Sequence, residues 1–450
     1  MTEPYALSII AAAEQMRTGR LSPVELVRSC LERIERLEPQ LRAWVTLDAG
    51  PALAEAEACH AAIRQGHYRG LLHGIPIGLK DIFFTAGVKT TMGSPIYADF
   101  VPDYDATSVS RLKEAGAIML GKAHTTEFAV LTPAPTRNPW NPEHTPGGSS
   151  SGSAAAVAAG MCPGALGSQT YGSTIRPAAY CGCVGLKPSY GRISAYGVYP
   201  VAWSLDHVGI FSRSVADAAA LLQTLAGDDP HDPACSSAAV PDYSQALTEP
   251  QPPRLGIIRE FFLERATPET RRHLESVAQR LARAGAQIEE VAMPASFTGA
   301  PEAAFQMLYA EAAAAHREVY AEHKARYSPQ MRDIIEKGLA LSAVDYAETR
   351  RHQQRFRHDL NAVCQTVDAV LAPSTPAPAP HGLDSTGDPA FNGPASFSGL
   401  PSLGLPSGLS AAGLPFGMQL MAGAFAEDRL LGVGGWCEQV VGFDRRPPEA

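Results

Sequence analysis

A turn made of glycine and serine runs directly into a helix-forming segment in which almost every residue is small. Gly147–Ser153 forms the turn, and Ala154–Gly160 follows it with alanine at most positions. Such a helix packs closely on its neighbours, because no bulky side chain holds the backbones apart. The N–H groups at its start favour negative charge. The feature therefore predicts a tightly packed layer in which several hydroxyls meet at one helix N-terminus.

The residues of this turn leave three interpretations open. A phosphate-binding loop needs Gly-Lys-Ser or Gly-Lys-Thr at its end, which the chain does not have there. A nucleophile elbow is formally present at Gly148–Gly152 with Ser150 as its nucleophile, but it needs a strand immediately before it. Residues 138–146 instead contain three prolines and two asparagines, which disfavour a strand. The third interpretation is a turn with a purely structural role.

A second glycine-rich turn and one lysine extend the pattern. Residues 167–178 are predicted to form a turn at Gly172, and the next residue is Ser173. Lys80 lies upstream, inside the apolar segment Gly74–Phe84. We expect that segment to form a buried strand. A serine needs a base to take its proton, and no histidine lies in either turn. A buried lysine can act as that base, because burial disfavours its charged form.

Short apolar segments alternate with amphipathic ones over much of the chain. This alternation predicts an α/β layered fold, although it does not give the strand order. The predicted strands lie at 117–121, 255–258, 287–291 and 368–372, and the predicted helices at 108–115 and 268–284 and through most of 301–367.

The regions on either side of this alternation differ in character. Ser22 and Glu25 are placed to form a capping box at the start of a helix that ends before Pro39. This helix belongs to a predicted helical layer over residues 1–65. Residues 391–417 alternate glycine, proline, serine and leucine, which predicts tight buried turns.

Composition narrows the class of protein. Hydrophobic residues make up 45% of the 450 residues, so the chain can bury a large core. The net charge of −9 disfavours a nucleic-acid surface, which needs basic groups. No apolar stretch suits a membrane span, no signal peptide is visible, and the eight cysteines form neither a disulfide framework nor a metal-binding pair. We expect a cytoplasmic enzyme with reduced thiols that contacts neither membrane nor nucleic acid.

Both turns and the lysine segment resemble the amidase signature family of C–N hydrolases. The matching segments are 74–93, 105–128, 147–160, 167–192 and 204–218, with weaker similarity at 368–376 and 399–421. The resemblance implies a Ser–cis-Ser–Lys triad. In that triad Ser173 is the nucleophile, Ser149 follows a cis peptide bond, and Lys80 is the base.

The resemblance also implies a fold and a domain plan. The implied fold is one α/β domain over residues 1–450, with a large mixed, twisted central β-sheet surrounded by α-helices. Residues 66–225 then form the catalytic core, and residues 295–367 form a variable helical cap over the substrate. A homodimer is an expectation from the family alone.

Departures from the usual family pattern bear on the substrate. Gln169 stands where the family usually has aspartate and Tyr171 where it has glycine, and Arg176 comes three residues after the nucleophile. This pattern resembles the small stand-alone amidases of malonamidase type, in which the equivalent arginine binds a substrate carboxylate. The alternative for Arg176 is a structural arginine that bonds loop carbonyls. We expect Tyr171 to narrow the acyl pocket.

The activity implied by the resemblance is hydrolysis of a small or medium-sized amide through a serine acyl-enzyme, with no metal and no cofactor. The oxyanion is expected to meet the backbone N–H groups of Thr170, Tyr171, Gly172 and Ser173. Anilides, esters and carbamates (urethanes) are further candidate substrates, because they share the acyl-enzyme step.

Two other functions compete with this one. The first is the catalytic component of a glutamine-dependent tRNA amidotransferase, which needs partner subunits and a surface for tRNA. The departures at Gln169, Tyr171 and Arg176 and the acidic net charge argue against it. The second is a binding protein without activity, and the intact triad argues against that.

Overall fold

A computed structural model of the chain describes residues 3–448 and contains one eleven-stranded β-sheet. The strands are β1 Trp44–Leu47, β2 Pro76–Lys80, β3 Ile118–Ala123, β4 Gly164–Gln169, β5 Val184–Lys187, β6 His207–Ser212, β7 Arg254–Ile257, β8 Gln287–Glu290, β9 Ala369–Pro373, β10 Ser402–Leu409 and β11 Pro415–Met421. Their order is β1-β3-β2-β4-β6-β5-β10-β11-β9-β7-β8. β2 is parallel to both of its neighbours, β3 and β4, and β7 is parallel to β8 and β9. The strands at the centre of the sheet pair antiparallel, so the sheet is mixed, as expected.

Helices connect and cover these strands. They are α1 Ile9–Arg17, α2 Pro23–Leu41, α3 Ala49–Arg64, α4 Thr107–Glu114, α5 Ser151–Ala158, α6 Ile175–Cys181, α7 Val215–Leu225, α8 Pro268–Arg283, α9 Ala300–Ala315, α10 Arg317–His323, α11 Pro329–Ala340, α12 Ala343–Gln365, α13 Gly393–Ser398 and α14 Glu427–Val441. The helical prediction for 301–367 is confirmed by α9 to α12. Among residues 3–448, no helix combines the length and the apolarity that crossing a bilayer requires.

The strand that carries the lysine is shorter than predicted. The prediction ran from Gly74 to Phe84, but β2 ends at Lys80. The backbone N–H groups of Ile82 and Phe83 both donate to the Lys80 carbonyl, so the chain turns out of the sheet at once. This turn places Lys80 at the carboxyl end of a fully buried strand.

The N-terminal region confirms one prediction and corrects two. The capping box at Ser22 and Glu25 is present. Pro39 lies inside α2, because a proline in the last turn removes only one N–H donor and the helix still reaches Leu41. Residues 1–65 are not purely helical: β1 pairs antiparallel with β3 at the sheet edge.

The prediction that residues 391–417 form buried turns is wrong about the secondary structure. The segment is buried, but it forms α13, β10 and the start of β11. Pro406 is tolerated inside β10 because it lies at a register shift between β10 and β11, where the ladder of backbone hydrogen bonds is already interrupted.

The all-small helix predicted after Gly147 is confirmed as α5. Its residues Ser151 to Val157 are buried, and it contacts β2, β3 and β4. A Cβ atom at Gly152 would collide with the Ala43 carbonyl and lie 2.5 Å from the His124 nitrogen. Small side chains therefore let α5 approach the sheet and bring its N-terminus to the ends of β2 and β4.

Gly152→Ala tests this close packing. The added methyl group forces α5 away from Ala43 and His124, so we expect a loss of about 3 kcal/mol in the free energy of unfolding, or failure to fold. Gly50→Ala is the matched control, because Gly50 holds the same second position in α3 and an added Cβ meets nothing within 4 Å. Chemical denaturation measures both variants. Equal free energies of unfolding would contradict the close approach of α5.

Candidate active site

The predicted site residues come together at the carboxyl ends of two neighbouring parallel strands. Lys80 ends β2, and Gln169 ends β4. Ser149 lies just before α5, and Ser173 lies in the turn between β4 and α6. Carboxyl ends of parallel strands are the usual position of a site in α/β sheets, because the connecting turns converge there.

Lys80 is fully buried and contacts two serine hydroxyls. Its Nζ lies 2.7 Å from Ser149 Oγ and 2.8 Å from Ser168 Oγ. Burial lowers the pKa of Lys80 to about 7, and the carboxylate of Asp206 partly opposes this shift. A large fraction of the amine is therefore neutral near neutral pH and able to accept a proton.

Ser149 follows a cis peptide bond, as the family resemblance implied. Two contacts hold this peptide. Ser149 O accepts a hydrogen bond from Thr126 N at 3.2 Å, and Gly148 O accepts one from Arg176 Nη2 at 2.6 Å. The Ser149 side chain is thereby fixed against Lys80.

The Ser173 hydroxyl remains open. Ser173 is 9% exposed, and its Oγ has no hydrogen-bond partner in the part of the chain that the structure describes. No hydrogen bond joins it to Ser149 within residues 3–448. Ser173 is therefore the more accessible of the two serines, since Ser149 is 1% exposed.

Four backbone N–H groups next to Ser173 are also free. From Thr170 to Ser173, none has a protein acceptor among the described residues. Unpaired N–H groups beside a serine are the donors that an oxyanion needs.

Gln169 fixes the shape of this turn. Its Oε1 accepts hydrogen bonds from Thr174 N at 2.8 Å and Ile175 N at 2.9 Å. Its Nε2 donates to Ser396 Oγ at 2.9 Å, and Ser396 donates onward to Tyr171 O. The Ser396 hydroxyl uses its proton on the Tyr171 carbonyl, so it can only accept a hydrogen bond from residue 169. The amide of Gln169 donates this bond, which an ionised carboxylate at the same position cannot do.

The Arg176 guanidinium donates hydrogen bonds to backbone carbonyls of two loops. Its Nη1 donates to Gly387 O at 2.5 Å and its Nη2 to Gly148 O at 2.6 Å. The side chain is buried, which lowers its pKa to about 10. This geometry matches the structural alternative for Arg176, since Nη1 and Nη2 each donate to a backbone carbonyl, although the buried Nε has no hydrogen-bond partner among the described residues.

Tyr171 faces the helical region that follows β8. Its ring packs on Phe305 of α9 with centroids 4.8 Å apart. Gly393 makes room for it, because a Cβ there would collide with the tyrosine ring. This aromatic pair therefore links the turn that contains Ser173 to α9.

The nucleophile-elbow interpretation of Ser150 is wrong. No strand immediately precedes the turn in the described chain. The Ser150 hydroxyl is fully buried between the backbone groups of Ser168, donating to its carbonyl and accepting from its N–H. Ser150 therefore supports the end of β4.

The cysteines nearest the site are buried thiols. Burial raises the pKa of Cys181 and Cys183, which keeps both protonated. All eight cysteines are free. Within residues 3–448, no three histidine, cysteine or acidic side chains are grouped to hold a metal ion.

Sequence reasoning missed two partners of the site. Ser168 is the second hydroxyl on Lys80. Asp206 accepts a hydrogen bond from Thr170 Oγ1 at 2.6 Å. Both residues lie inside the family-like segments, but nothing in the local pattern connects them to the lysine.

Comparison with known proteins places this arrangement in a family. The family model named Amidase matches residues 25–431. The putative amidase AmiD of Mycobacterium tuberculosis is 40% identical over 465 residues, covering 98% of this chain and 96% of AmiD. A glutamyl-tRNA(Gln) amidotransferase subunit from Roseiflexus sp. (strain RS-1) is 40% identical over 486 residues, covering 100% of this chain and 99% of that protein.

A solved structure agrees with the fold. The peptide amidase from Stenotrophomonas maltophilia superposes with a TM-score of 0.86 at 32% identity, covering 99% of each chain. Fold, motifs and overall similarity thus agree over nearly the whole length. The chain belongs to the amidase family.

Proposed function

We propose that this protein hydrolyses the C–N bond of small or medium-sized amides through an acyl-enzyme on Ser173. The observation that carries the proposal is the environment of Lys80. A fully buried amine with a pKa near 7 lies 2.7 Å from Ser149, beside the turn that presents an open serine. Such an amine can act as the general base that a serine nucleophile requires.

Acylation begins with a proton relay. Ser173 gives its proton to Ser149 as Ser149 gives its own to neutral Lys80. The Ser173 oxygen bonds to the carbonyl carbon of the amide, and the carbonyl oxygen becomes an oxyanion. The N–H groups from Thr170 to Ser173 stabilise that oxyanion, and removing one such donor costs about 3 kcal/mol in transition-state stabilisation.

Breakdown of the intermediate uses the same groups in reverse. Lys80 returns a proton through Ser149 to the leaving nitrogen, the C–N bond breaks, and the amine departs. A water molecule then gives a proton to the same pair and attacks the acyl-enzyme, releasing a carboxylic acid and restoring Ser173. Anilides, esters and carbamates can enter the same cycle, because each forms an acyl-enzyme in the first step.

The residues around Ser173 favour an uncharged acyl group. Arg176 is buried and its Nη1 and Nη2 donate to two backbone carbonyls, so its first role is to hold these loops. Tyr171 lies two residues before Ser173 and packs on Phe305, so the turn carries an aromatic pair. We infer that the acyl pocket is narrow and mainly apolar.

The second candidate function, participation in a tRNA amidotransferase, has support from the Roseiflexus relative at the same 40% identity as AmiD. The net charge of −9 favours a stand-alone amidase, because tRNA binding needs a basic surface. Hydrolysis of simple amides by the isolated chain would favour the first function. Activity that depends on a co-purifying partner would favour the second.

Ser173→Ala is the first test. A panel of amides, anilides, esters and carbamates is assayed by product release with the isolated chain. We expect the variant to lose at least about a thousandfold in kcat/KM on every substrate that the wild type cleaves. Full activity in Ser173→Ala, or a comparable loss confined to Ser150→Ala, would contradict the assignment of the nucleophile.

The pH dependence of kcat/KM tests Lys80. The neutral amine is the active form, so kcat/KM should rise as the pH increases through about 7 and then level off. Lys80→Met should abolish activity. Lys122→Met is the matched control, because Lys122 is also fully buried but bonds Thr85 and Thr90. It should lower stability and leave the pH profile unchanged. A flat wild-type profile would contradict a lysine base.

Arg176→Ala tests the role of the arginine. The variant leaves Gly148 O and Gly387 O without their donor, so we expect a loss of about 2 kcal/mol in the free energy of unfolding. Steady-state kinetics should show similar losses on neutral and anionic amides. An increase of KM for anionic amides alone would show instead that Arg176 binds the substrate.

A further inference from the structure

Asp206 lies next to the catalytic turn and takes no part in the proton relay. It immediately precedes β6, whose first residue, His207, pairs with Gln169 at the end of β4. This register brings position 206 beside Thr170, at the same edge of the sheet as Lys80. β4 lies between β2 and β6 in the sheet, so the base and the carboxylate lie at the same end of the sheet, on either side of the turn that follows β4.

The Asp206 carboxylate is held by three donors. Oδ1 accepts a hydrogen bond from the hydroxyl of Thr170 at 2.6 Å. Oδ2 accepts hydrogen bonds from the backbone N–H groups of Val201 at 2.8 Å and Ala202 at 3.0 Å. Both oxygens are thus fixed, one of them to the turn whose N–H groups face the substrate.

Asp206 carries a charge that reaches Lys80. Burial raises the pKa of Asp206 to about 6, so the carboxylate is mainly ionised at neutral pH. The ionised carboxylate favours the charged form of Lys80 and raises the pKa of the lysine against the effect of burial.

Other titratable groups surround Asp206 from several elements. Glu311 of α9 raises its pKa further, and Tyr190 faces it. A cavity of about 330 Å³ reaches Asp206 from the side of Tyr196, Trp203, His231 and Asp232. Water in that cavity can solvate the carboxylate, which favours its ionised form.

We propose that Asp206 is a positioning residue with two separable actions: its charge sets the base strength of Lys80, and its hydrogen bond fixes Thr170 in the oxyanion turn. This proposal rests on the proposed function, in which Lys80 is the base and Ser173 the nucleophile. Asp206 itself does not touch the substrate.

The two actions call for two variants. Asp206→Asn removes the charge and keeps the shape. Thr170→Val removes the hydrogen bond and keeps the carboxyl group. Asp99→Asn is the matched control, because Asp99 is an exposed carboxylate paired with Lys89. Circular dichroism melting shows that each variant is folded.

The readout is the rate at which a fluorophosphonate modifies Ser173, measured against pH by mass spectrometry of the Ser173 peptide. This rate reports activation of the serine without requiring any particular amide. If the wild-type Ser173 is never modified, the proposed function fails and this proposal fails with it. If Ser173 is modified, the pH profiles of the variants test Asp206 alone.

In Asp206→Asn we expect the midpoint of the acid limb to move to lower pH by roughly half a unit to one unit, because the ammonium loses an opposite charge. Thr170→Val should lower the plateau rate severalfold, and because loss of this donor raises the pKa of Asp206, its midpoint should move less than that of Asp206→Asn. Asp99→Asn should match the wild type. Asp206→Glu keeps the charge and should restore the wild-type midpoint.

An unchanged midpoint in folded Asp206→Asn, or a midpoint that moves equally in Asp206→Glu, would overturn the electrostatic action. A plateau rate in Thr170→Val equal to that of the wild type would overturn the positioning action. If Asp206→Asn does not fold, Asp206→Ser carries the same test of the midpoint.

Discussion

Burial of one amine, that of Lys80, is the constraint on which the rest of the site depends. Its Nζ is shielded from water at the end of β2 and meets hydroxyls of Ser149 and Ser168. A permanently charged lysine in that position would lack a direct counter-ion, so the neutral form is stabilised. The same desolvation that makes the ammonium costly makes the amine a base at neutral pH. Asp206, which precedes β6 on the far side of β4, moderates this effect.

Close backbone packing brings the other groups to that amine. Helix α5 can approach Ala43 and His124 because Gly152 carries no side chain, and its N-terminus then places Ser149 against Lys80. Gly393 makes space for Tyr171 in the same way. The high content of glycine therefore has a specific use here, since each of these glycines lets a functional element lie where a Cβ would block it.

Local patterns predicted the parts of the site but not the contacts that hold them. The apolar run around Lys80 indicated burial, and the all-small segment indicated α5, because both signals lie within a few residues. The partners of Arg176 and Gln169 could not be predicted in this way. Gly387 and Ser396 are more than two hundred positions further along the chain. They lie in a region whose glycines and prolines favoured a prediction of turns, whereas the structure has α13 and β10 there. Such pairings follow from the topology of the sheet.

The central claim is that Ser173 becomes acylated with neutral Lys80 as the base. Rapid-quench mass spectrometry of the full chain during turnover of an activated ester or anilide tests this claim most directly. We predict that the acyl group appears on the peptide that contains Ser173, within the first turnover, and that it does not form in Lys80→Met. An acyl group on Ser149 or Ser150, or product release without any covalent adduct, would contradict it.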